Sequence, residues 1–366
     1  MRGVRVLDFS RAVSGPYAGR ILADLGADVV KIEPADGDVS DRFGRIQAGR
    51  AGLFAQMNAG KRNIGLDLRA APDAALARQL ADAADVIIEN FRPQVMTRLG
   101  LGYDSISATN PRLVMLSISG FGSTSPEASR RAYAPVIHAE SGALVRQARA
   151  HNQPVVDLSH SVADTLSALH GTIAVLAALR QRDTTGLGAH LDLGMLDAVV
   201  ASDDHAHEAI DGIETVSENW GHIFDTNSGP IMLAMGARGI WRTLSDYAGL
   251  TDGLEPHAPV DAKAAARAAT VGEWLDRFER RADMTDALEA AGIGWADVRA
   301  PEHLLDEATF QATPPYDNVD DGHGGTRRVV RTPYRFDGQP CPVAGRVAPN
   351  DSDRHAIVTD WLKQGR

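Results

Sequence analysis

The first 120 or so residues alternate short apolar runs with amphipathic segments, and this alternation constrains the fold more than any other feature of the sequence. Runs such as VRVLD and LVMLSIS have the length and composition of buried strands. The pattern predicts strands at 4–8, 27–33, 85–89 and 113–119, and helices at 16–25 and 72–84. Strands that alternate with helices form a mostly parallel sheet covered on both faces. We therefore expect a doubly wound, Rossmann-like α/β domain.

The pattern changes after residue 133. Helices are predicted at 133–146, 165–181 and 196–209, with a strand at 191–195, and a β-hairpin at 222–236. Acidic and alanine-rich linkers interrupt the helices that follow, and strand-like sequence returns after Gly322. We expect a large domain at 1–211, a smaller α+β domain at 212–320 and a C-terminal tail at 321–366 that returns to the large domain.

Composition excludes several classes of protein. The 366 residues contain one cysteine, which excludes an intramolecular disulfide framework and any multi-cysteine metal site. The net charge of −11 argues against a nucleic-acid partner, which needs clustered lysine and arginine. No apolar run approaches the 18 residues or so of a membrane span. The expectation is a cytoplasmic protein that binds neither nucleic acid nor membrane.

Three segments of the sequence resemble familiar binding motifs but lack the residue spacing that those motifs require. The segment after the first strand, SRAVSGPYAGR, lacks the glycine spacing of a dinucleotide fingerprint. Gly52 and Gly60 are too far apart for NAGKRN to be a phosphate loop. His205, His207 and Glu208 do not share one face of a helix, so we predict no metal site there.

Several longer segments, taken in order, resemble a known family. They are LDFSRAVSGPYAGRILADLGADVVKIEP, NAGKRNIGLDLR, ADVIIENFRPQVMTRLGLG, RLVMLSISGFG, RRAYAPVIHAESG, VADTLSALHGTIAVLAALRQRDTTGLGAHLDLGMLDAV and VRTPYRFDG. The family is the class III CoA-transferases, or CaiB/BaiF proteins, which include formyl-CoA transferase, carnitine CoA-transferase and the α-methylacyl-CoA racemases. The likeness covers most of the first 200 residues and returns near the C-terminus; about 212–320 is only loosely similar.

The resemblance implies that Asp164, in SVADTLSALHG, is the catalytic carboxylate. Chemistry supports this role, because a carboxylate at a helix N-terminus stays ionised and nucleophilic, and nearby N–H groups can meet a developing oxyanion. The alternative is that Asp164 only caps the helix, for which aspartate is well suited.

The resemblance also implies a coenzyme A site with a basic and amide-bearing rim. Its residues here would be Val13, Ser14, Leu66, Arg69, Asn90, Phe91, Arg98 and Arg131, with Tyr133 beside them. Arginine suits the phosphates, and apolar and amide groups suit the adenine and the pantetheine arm. The implied substrates are acyl-CoA and a small carboxylic acid, without a metal, and family members form interlocked homodimers.

The sequence is compatible with three activities. Racemases of the family carry a histidine nine positions before the glycine that here is Gly142, and that position is Tyr133. This favours a CoA-transferase in which Asp164 forms an acyl anhydride and then a CoA thioester. The alternatives are a racemase of 2-substituted acyl-CoA, with Asp164 and His138 or another group as the bases, and a CoA-binding protein without catalysis.

Overall fold

The computed structural model describes residues 1–212 and 221–363, which form two compact units. One unit contains residues 1–212 and 314–363, and the other contains residues 221–313. We had expected the smaller domain to extend to residue 320. The strand Tyr316–Asp320 instead pairs antiparallel with Thr326–Val330, which places both strands in the first unit.

The first unit is built around a six-stranded sheet. Its strands and helices up to residue 212 are β1 Arg5–Asp8, α1 Ser14–Asp24, β2 Asp28–Glu33, β3 Ile46–Gln47, β4 Arg50–Ala51, α2 Gly52–Asn58, β5 Arg62–Gly65, α3 Ala71–Asp82, β6 Val86–Glu89, α4 Val95–Arg98, α5 Tyr103–Ser107, β7 Val114–Ser119, α6 Ala134–Glu140, α7 Ala143–His151, α8 Val162–Thr185, β8 Ala189–Gly194, α9 Met195–Ala201 and α10 Ala206–Ile210.

All neighbours in the large sheet are parallel, in the order β5-β2-β1-β6-β7-β8. This confirms the predicted α/β fold. From β1 the chain first adds β2 and β5 on one side of the sheet, and then adds β6, β7 and β8 on the other side. The strand order therefore reverses between β1 and β6. In doubly wound sheets, ligands bind at such a point, outside the carboxyl ends of the strands.

The sheet separates two apolar layers because successive side chains of a strand point to opposite faces. Val6 of β1 belongs to the layer under α1 and α8, whereas Leu7 belongs to the layer under α3. Both side chains are fully buried. The central strands β1, β6 and β7 are thus apolar on both faces, which explains their hydrophobic runs.

Several element boundaries differ from the sequence-based expectation. The helix predicted at 133–146 is two helices, α6 and α7, because Gly142 between them has φ 79° in the left-handed region and ends the first one. The helix predicted at 196–209 is likewise two short helices, α9 and α10. Strand β5 at the sheet edge was not predicted.

The second unit contains a small antiparallel sheet and helices. Its elements are β9 His222–Phe224, β10 Ile231–Leu233, α11 Ala237–Ala248, α12 Val260–Leu275, α13 Arg281–Ala290, β11 Trp295–Asp297 and α14 Ala308–Ala312, with the sheet in the order β11-β10-β9. Strands β9 and β10 form the predicted hairpin. Leu244, Trp274 and Leu288 are buried in its own apolar core.

The C-terminal segment packs on the first unit. Its elements are β12 Tyr316–Asp320, β13 Thr326–Val330, β14 Arg335–Phe336, β15 Gln339–Pro340 and α15 Arg354–Val358. Ile357 and Trp361 are buried in the apolar layer that also holds α3. The indole N–H of Trp361 donates to Asp28 of β2 at 2.8 Å, which anchors the end of the chain to the sheet.

Candidate active site

The candidate site lies at the carboxyl ends of β1 and β6. The loop after β1 leads into α1, which begins at Ser14, and β6 is followed directly by Asn90. The Asn90 amide accepts from the N–H of Arg11 and donates to its carbonyl, both at 2.8 Å, and donates to the Ser14 hydroxyl at 3.1 Å. One amide side chain therefore joins the two loops at the point where the strand order reverses.

Buried charges hold the loop after β1 in its conformation. Ala12 has φ 63°, a left-handed conformation that costs a non-glycine residue roughly 1 kcal/mol or more. Its N–H donates to Asp38 at 3.1 Å, and Lys31 lies 2.9 Å from the same carboxylate and donates to the Ser10 carbonyl at 2.8 Å. Burial acts to raise the pKa of Asp38, but Lys31 and the backbone donors outweigh it and lower the pKa to about 2.

The close approach of Ser10 explains why residue 15, at the start of α1, is a glycine. A Cβ atom on Gly15 would lie 2.2 Å from the Cβ of Ser10, so no larger residue fits without moving the loop. Lys61, fully buried, supports the same turn by donating to the Pro16 carbonyl at 2.8 Å and to Asp8 at 2.7 Å. Burial lowers the pKa of Lys61 to about 8, while Asp8 acts in the opposite direction.

Asp164 lies in the first turn of α8 and faces the N-terminus of α1. Its carboxylate interacts with both the hydroxyl and the backbone N–H of Ser14. Burial raises the pKa of the Asp164 carboxyl above its ordinary value, and the two Ser14 groups act in the opposite direction. The carboxylate is therefore half-buried between the positive ends of two helices, α1 and α8, which favours negative charge at this point.

His138 of α6 lies behind the first turn of α8. Its Nδ1 is 2.9 Å from a carboxylate oxygen of Asp157, and its Nε2 accepts from the backbone N–H of Ala163 at 3.2 Å. The side chain is buried and does not line the cavity described next.

A cavity of about 490 Å³ opens above Asp164. Its lining is rich in arginine: Arg11, Arg42, Arg92, Arg130 and Arg131. Arg130 is paired with Glu140 at 2.6 Å, and Arg11 lies over the ring of Phe91 at 5.7 Å. Within residues 1–212 and 221–363, the other three guanidinium groups have no ion-pair partner, so they are available to an anionic ligand.

Comparison with known proteins now places the chain in a family. Residues 1–354 match CoA-transferase family III. The chain belongs to this family. It is 32% identical to a succinate–glutarate CoA-transferase of Agrobacterium fabrum, over 99% of this chain and 96% of that one. It is 31% identical to an acetyl-CoA:oxalate CoA-transferase of Acetobacter aceti, over 83% and 77%. A CaiB/BaiF family crystal structure from Brucella suis superposes with a TM-score of 0.81 at 27% identity, over 98% of each chain.

Six of the residues that sequence analysis singled out in this family III chain meet at the cavity. They are Ser14, Asn90, Phe91, Arg131, Tyr133 and Asp164. Ser14, expected to contact coenzyme A, also contacts Asp164 itself. Sequence reasoning missed Arg11, Arg42, Arg92 and Arg130, although the RR pair at 130–131 and the R in ENFRP adjoin residues that it did select.

Four expected residues lie outside the cavity of this family III chain. Val13 is buried at the start of α1 and Leu66 is buried in the apolar layer with α3. Arg69 is exposed and paired with Asp67 at 2.9 Å, and Arg98 is exposed at the end of α4. Their assignment to the coenzyme A site stays a prediction.

Two further observations bear on cofactors and on membranes. Within the described ranges, 1–212 and 221–363, no group of three or more His, Cys, Asp or Glu side chains is placed to hold a metal ion. Helix α8 is long and apolar enough to cross a membrane, with a mean hydropathy of 1.5. One face of α8 is buried against the sheet, in the core of the first unit.

Proposed function

We propose that this chain is a CoA-transferase that moves coenzyme A from an acyl-CoA thioester to a carboxylic acid, with Asp164 as the nucleophile. The observation that carries the proposal is the position of Asp164. A half-buried carboxylate faces an arginine-lined cavity at the meeting point of two helix N-termini, in a chain of CoA-transferase family III. We expect the protein to work in the cytoplasm and to need no metal.

The proposed reaction has four steps. The Asp164 carboxylate attacks the donor thioester carbonyl and expels CoA thiolate, which leaves a mixed anhydride. The thiolate attacks the aspartyl carbonyl, releases the donor acid and forms an aspartyl-CoA thioester. The acceptor carboxylate attacks this thioester, expels CoA thiolate and forms a second anhydride. The thiolate then attacks the acceptor carbonyl, which yields the new acyl-CoA and frees Asp164.

The surroundings of Asp164 suit these steps. Each attack places negative charge on a carbonyl oxygen, and the N–H and hydroxyl of Ser14, which interact with the Asp164 carboxylate, are donors beside the reacting group. The unpaired guanidinium groups of Arg42, Arg92 and Arg131 suit the anionic parts of coenzyme A and the acids. No step needs a net proton or an electron.

The relatives narrow the choice of carboxylic acid substrates for this chain. Their names include succinyl-CoA–L-malate CoA-transferase from Chloroflexus aurantiacus besides the glutarate and oxalate enzymes. We propose that at least one substrate of this chain is a dicarboxylic acid, whose second carboxylate would meet an arginine of the cavity. A panel of mono- and dicarboxylates offered with acetyl-CoA and with succinyl-CoA tests this, and transfer only from acetyl-CoA to monocarboxylates would contradict it.

A racemase with His138 as the second base is a weaker proposal. Removing an α-proton needs a nitrogen lone pair that faces the substrate. The Nε2 of His138 accepts from Ala163 and its Nδ1 lies against Asp157. Exchange of the α-hydrogen of 2-methylacyl-CoA in deuterated water, without transfer to any acid, would favour the racemase.

The proposal is tested by the Asp164→Asn variant. Asparagine keeps the shape of the side chain, but its amide cannot form the anhydride. We expect the rate of CoA transfer to fall by about four orders of magnitude or more. The N-cap residue of α8 is Ser161 and not Asp164, so a variant that keeps most of the transfer rate would show that Asp164 is not the nucleophile.

We further propose that the protein is a homodimer. The face of α8 that points away from the sheet carries Leu169, Ile173 and Leu176, which recur at helical spacing and are 37%, 63% and 36% exposed. A contiguous exposed apolar stripe marks a surface of association in a soluble protein. A second copy of the chain is the partner that the resemblance predicts.

A further inference from the structure

The inference concerns His138, which lies behind the catalytic helix and outside the cavity. It is 1% exposed, and it contacts α8 through the N–H of Ala163, the residue directly before Asp164. A buried imidazole placed against the turn that carries the proposed nucleophile can affect catalysis without touching the substrate.

The hydrogen bonds of His138 fix the orientation of its ring. A backbone N–H can only donate, so the Nε2 that faces Ala163 accepts the hydrogen bond. Nδ1 lies 2.9 Å from a carboxylate oxygen of Asp157, to which it donates. Both ring nitrogens are therefore occupied, Nε2 as an acceptor and Nδ1 as a donor.

This arrangement has a consequence for α8. The first N–H groups of a helix have no partner within the helix, and a buried one must find an acceptor elsewhere. His138 supplies that acceptor for Ala163. Without it, the first turn would shift to satisfy the N–H, and the carboxylate of Asp164 would move with the turn, away from Ser14.

We propose that His138 is a positioning residue for Asp164. It fixes the first turn of α8 from behind and does not exchange protons with the substrate. The inference rests on the proposed role of Asp164 as the nucleophile.

Two variants with a matched control test the role. His138→Gln keeps an acceptor and a donor, whereas His138→Leu removes both. The leucine variant should lose about 10- to 100-fold in kcat with little change in KM for the acyl-CoA donor, since misplacement by about 1 Å has this effect. The glutamine variant should recover most of the loss. Val175→Ala, a buried change further along α8, should lower the melting temperature without changing kcat.

A merely structural histidine would behave differently. It would show an unchanged kcat in the folded leucine variant, or an equal loss in the leucine and glutamine variants, and either result overturns the proposal.

A nitrogen NMR measurement on the unmodified protein gives a readout independent of activity. The His138 signal, assigned by its loss in His138→Gln, should show a proton on Nδ1 and none on Nε2. A proton on Nε2 contradicts the positioning role, even if the leucine variant fails to fold. An Asp164→Asn variant with full transfer would instead contradict the proposed function, while leaving this signal unchanged.

Discussion

Two opposing effects act on the pKa of the Asp164 carboxyl, and their balance affects both the reactivity of this group and the stability of the fold. Burial is the larger influence and raises the pKa of its carboxyl, while the Ser14 hydroxyl and N–H lower it. The carboxylate thus has less water and more fixed donors around it than an ordinary aspartate. Because Asp164 lines the cavity, a thioester carbonyl can reach it, and the Ser14 donors can stabilise the charge that develops there.

The raised pKa of Asp164 gives a prediction about stability. Because the folded protein favours the protonated form, this group stabilises the fold fully below its ordinary pKa, and the contribution is lost as the pH rises through the folded pKa. At pH 8 the Asp164→Asn variant should therefore melt at the same temperature as the unmodified protein or higher. In acid the difference should shrink or reverse. A variant that melts lower only at pH 8 contradicts this account; calorimetric scans at several pH values measure it.

The arginines of the cavity give a prediction about binding. Arg131→Ala should weaken coenzyme A binding by about 1.5–3 kcal/mol, the contribution of a charged hydrogen bond. Arg112→Ala is the matched control, since Arg112 is exposed just before β7, at the opposite edge of the sheet. Isothermal calorimetry compares the two. Equal affinities for both variants would exclude Arg131 from the site.

Single residues of the site were predicted from the sequence to different degrees. Asp164 could be identified because its position at a helix start and the family resemblance agree. The contact between Ser14 and Asp164 could not, because it joins two helix starts that are far apart in the chain. Arg42 was also missed, since the short helical turn that carries it, Val39–Arg42, has no periodic pattern.

Among the elements, α8 has two apolar faces. Ala168 and Val175 face the sheet and are fully buried, whereas Ile173 is 63% exposed. The inner face packs in the core of the first unit, and the proposed dimer would cover the outer face.

The dimer is tested at this outer face. Ile173→Glu would bury a charge without a partner at the interface, and we expect the dimer to weaken by about 100-fold or more. Light scattering over a range of protein concentrations measures this. The control Gln79→Glu adds the same charge on α3, on the other face of the sheet, and should not change the mass. An unmodified protein that is monomeric throughout would exclude the interface.

The elements themselves were largely predictable where burial on both faces produced continuous apolar runs, as in β1, β6 and β7. The predicted helix boundaries were wrong where the backbone conformation of a single residue ends a helix. Gly142 ends α6, but an isolated glycine in a helical pattern is often tolerated, so the break could not be seen in the sequence. Strand β5 was missed because RNIG is short and mostly polar at its start.

At the scale of the molecule, the end of the chain completes the core of the first unit. Trp361 is 3% exposed, donates to Asp28 and lies against the guanidinium of Arg5 at 5.6 Å. The buried Trp361 shows that the C-terminal segment contributes to the core of the first unit and does not serve only as a linker. The loosely matched segment around 212–320, by contrast, gave no residue-level site prediction.

Truncation of this anchor should destabilise the protein. Trp361→Ala should lower the free energy of unfolding by about 3–5 kcal/mol, through the lost contacts and the cavity left behind. Trp361→Phe keeps a ring and loses the hydrogen bond, so its effect should be about 1 kcal/mol. Urea unfolding compares the two variants, and equal small effects would show that the tail is not part of the cooperative core.

The central claim is that the Asp164 carboxylate forms a covalent anhydride with the acyl group, and then a thioester with coenzyme A, during transfer. Peptide mass spectrometry after incubation with succinyl-CoA and hydroxylamine tests it most directly, since hydroxylamine converts an aspartyl thioester or anhydride to a stable hydroxamate. We predict a hydroxamate at Asp164 that requires the acyl-CoA and is absent from Asp164→Asn. Turnover of acyl-CoA and acid with Asp164 unmodified, or a hydroxamate at another carboxylate, would contradict the account.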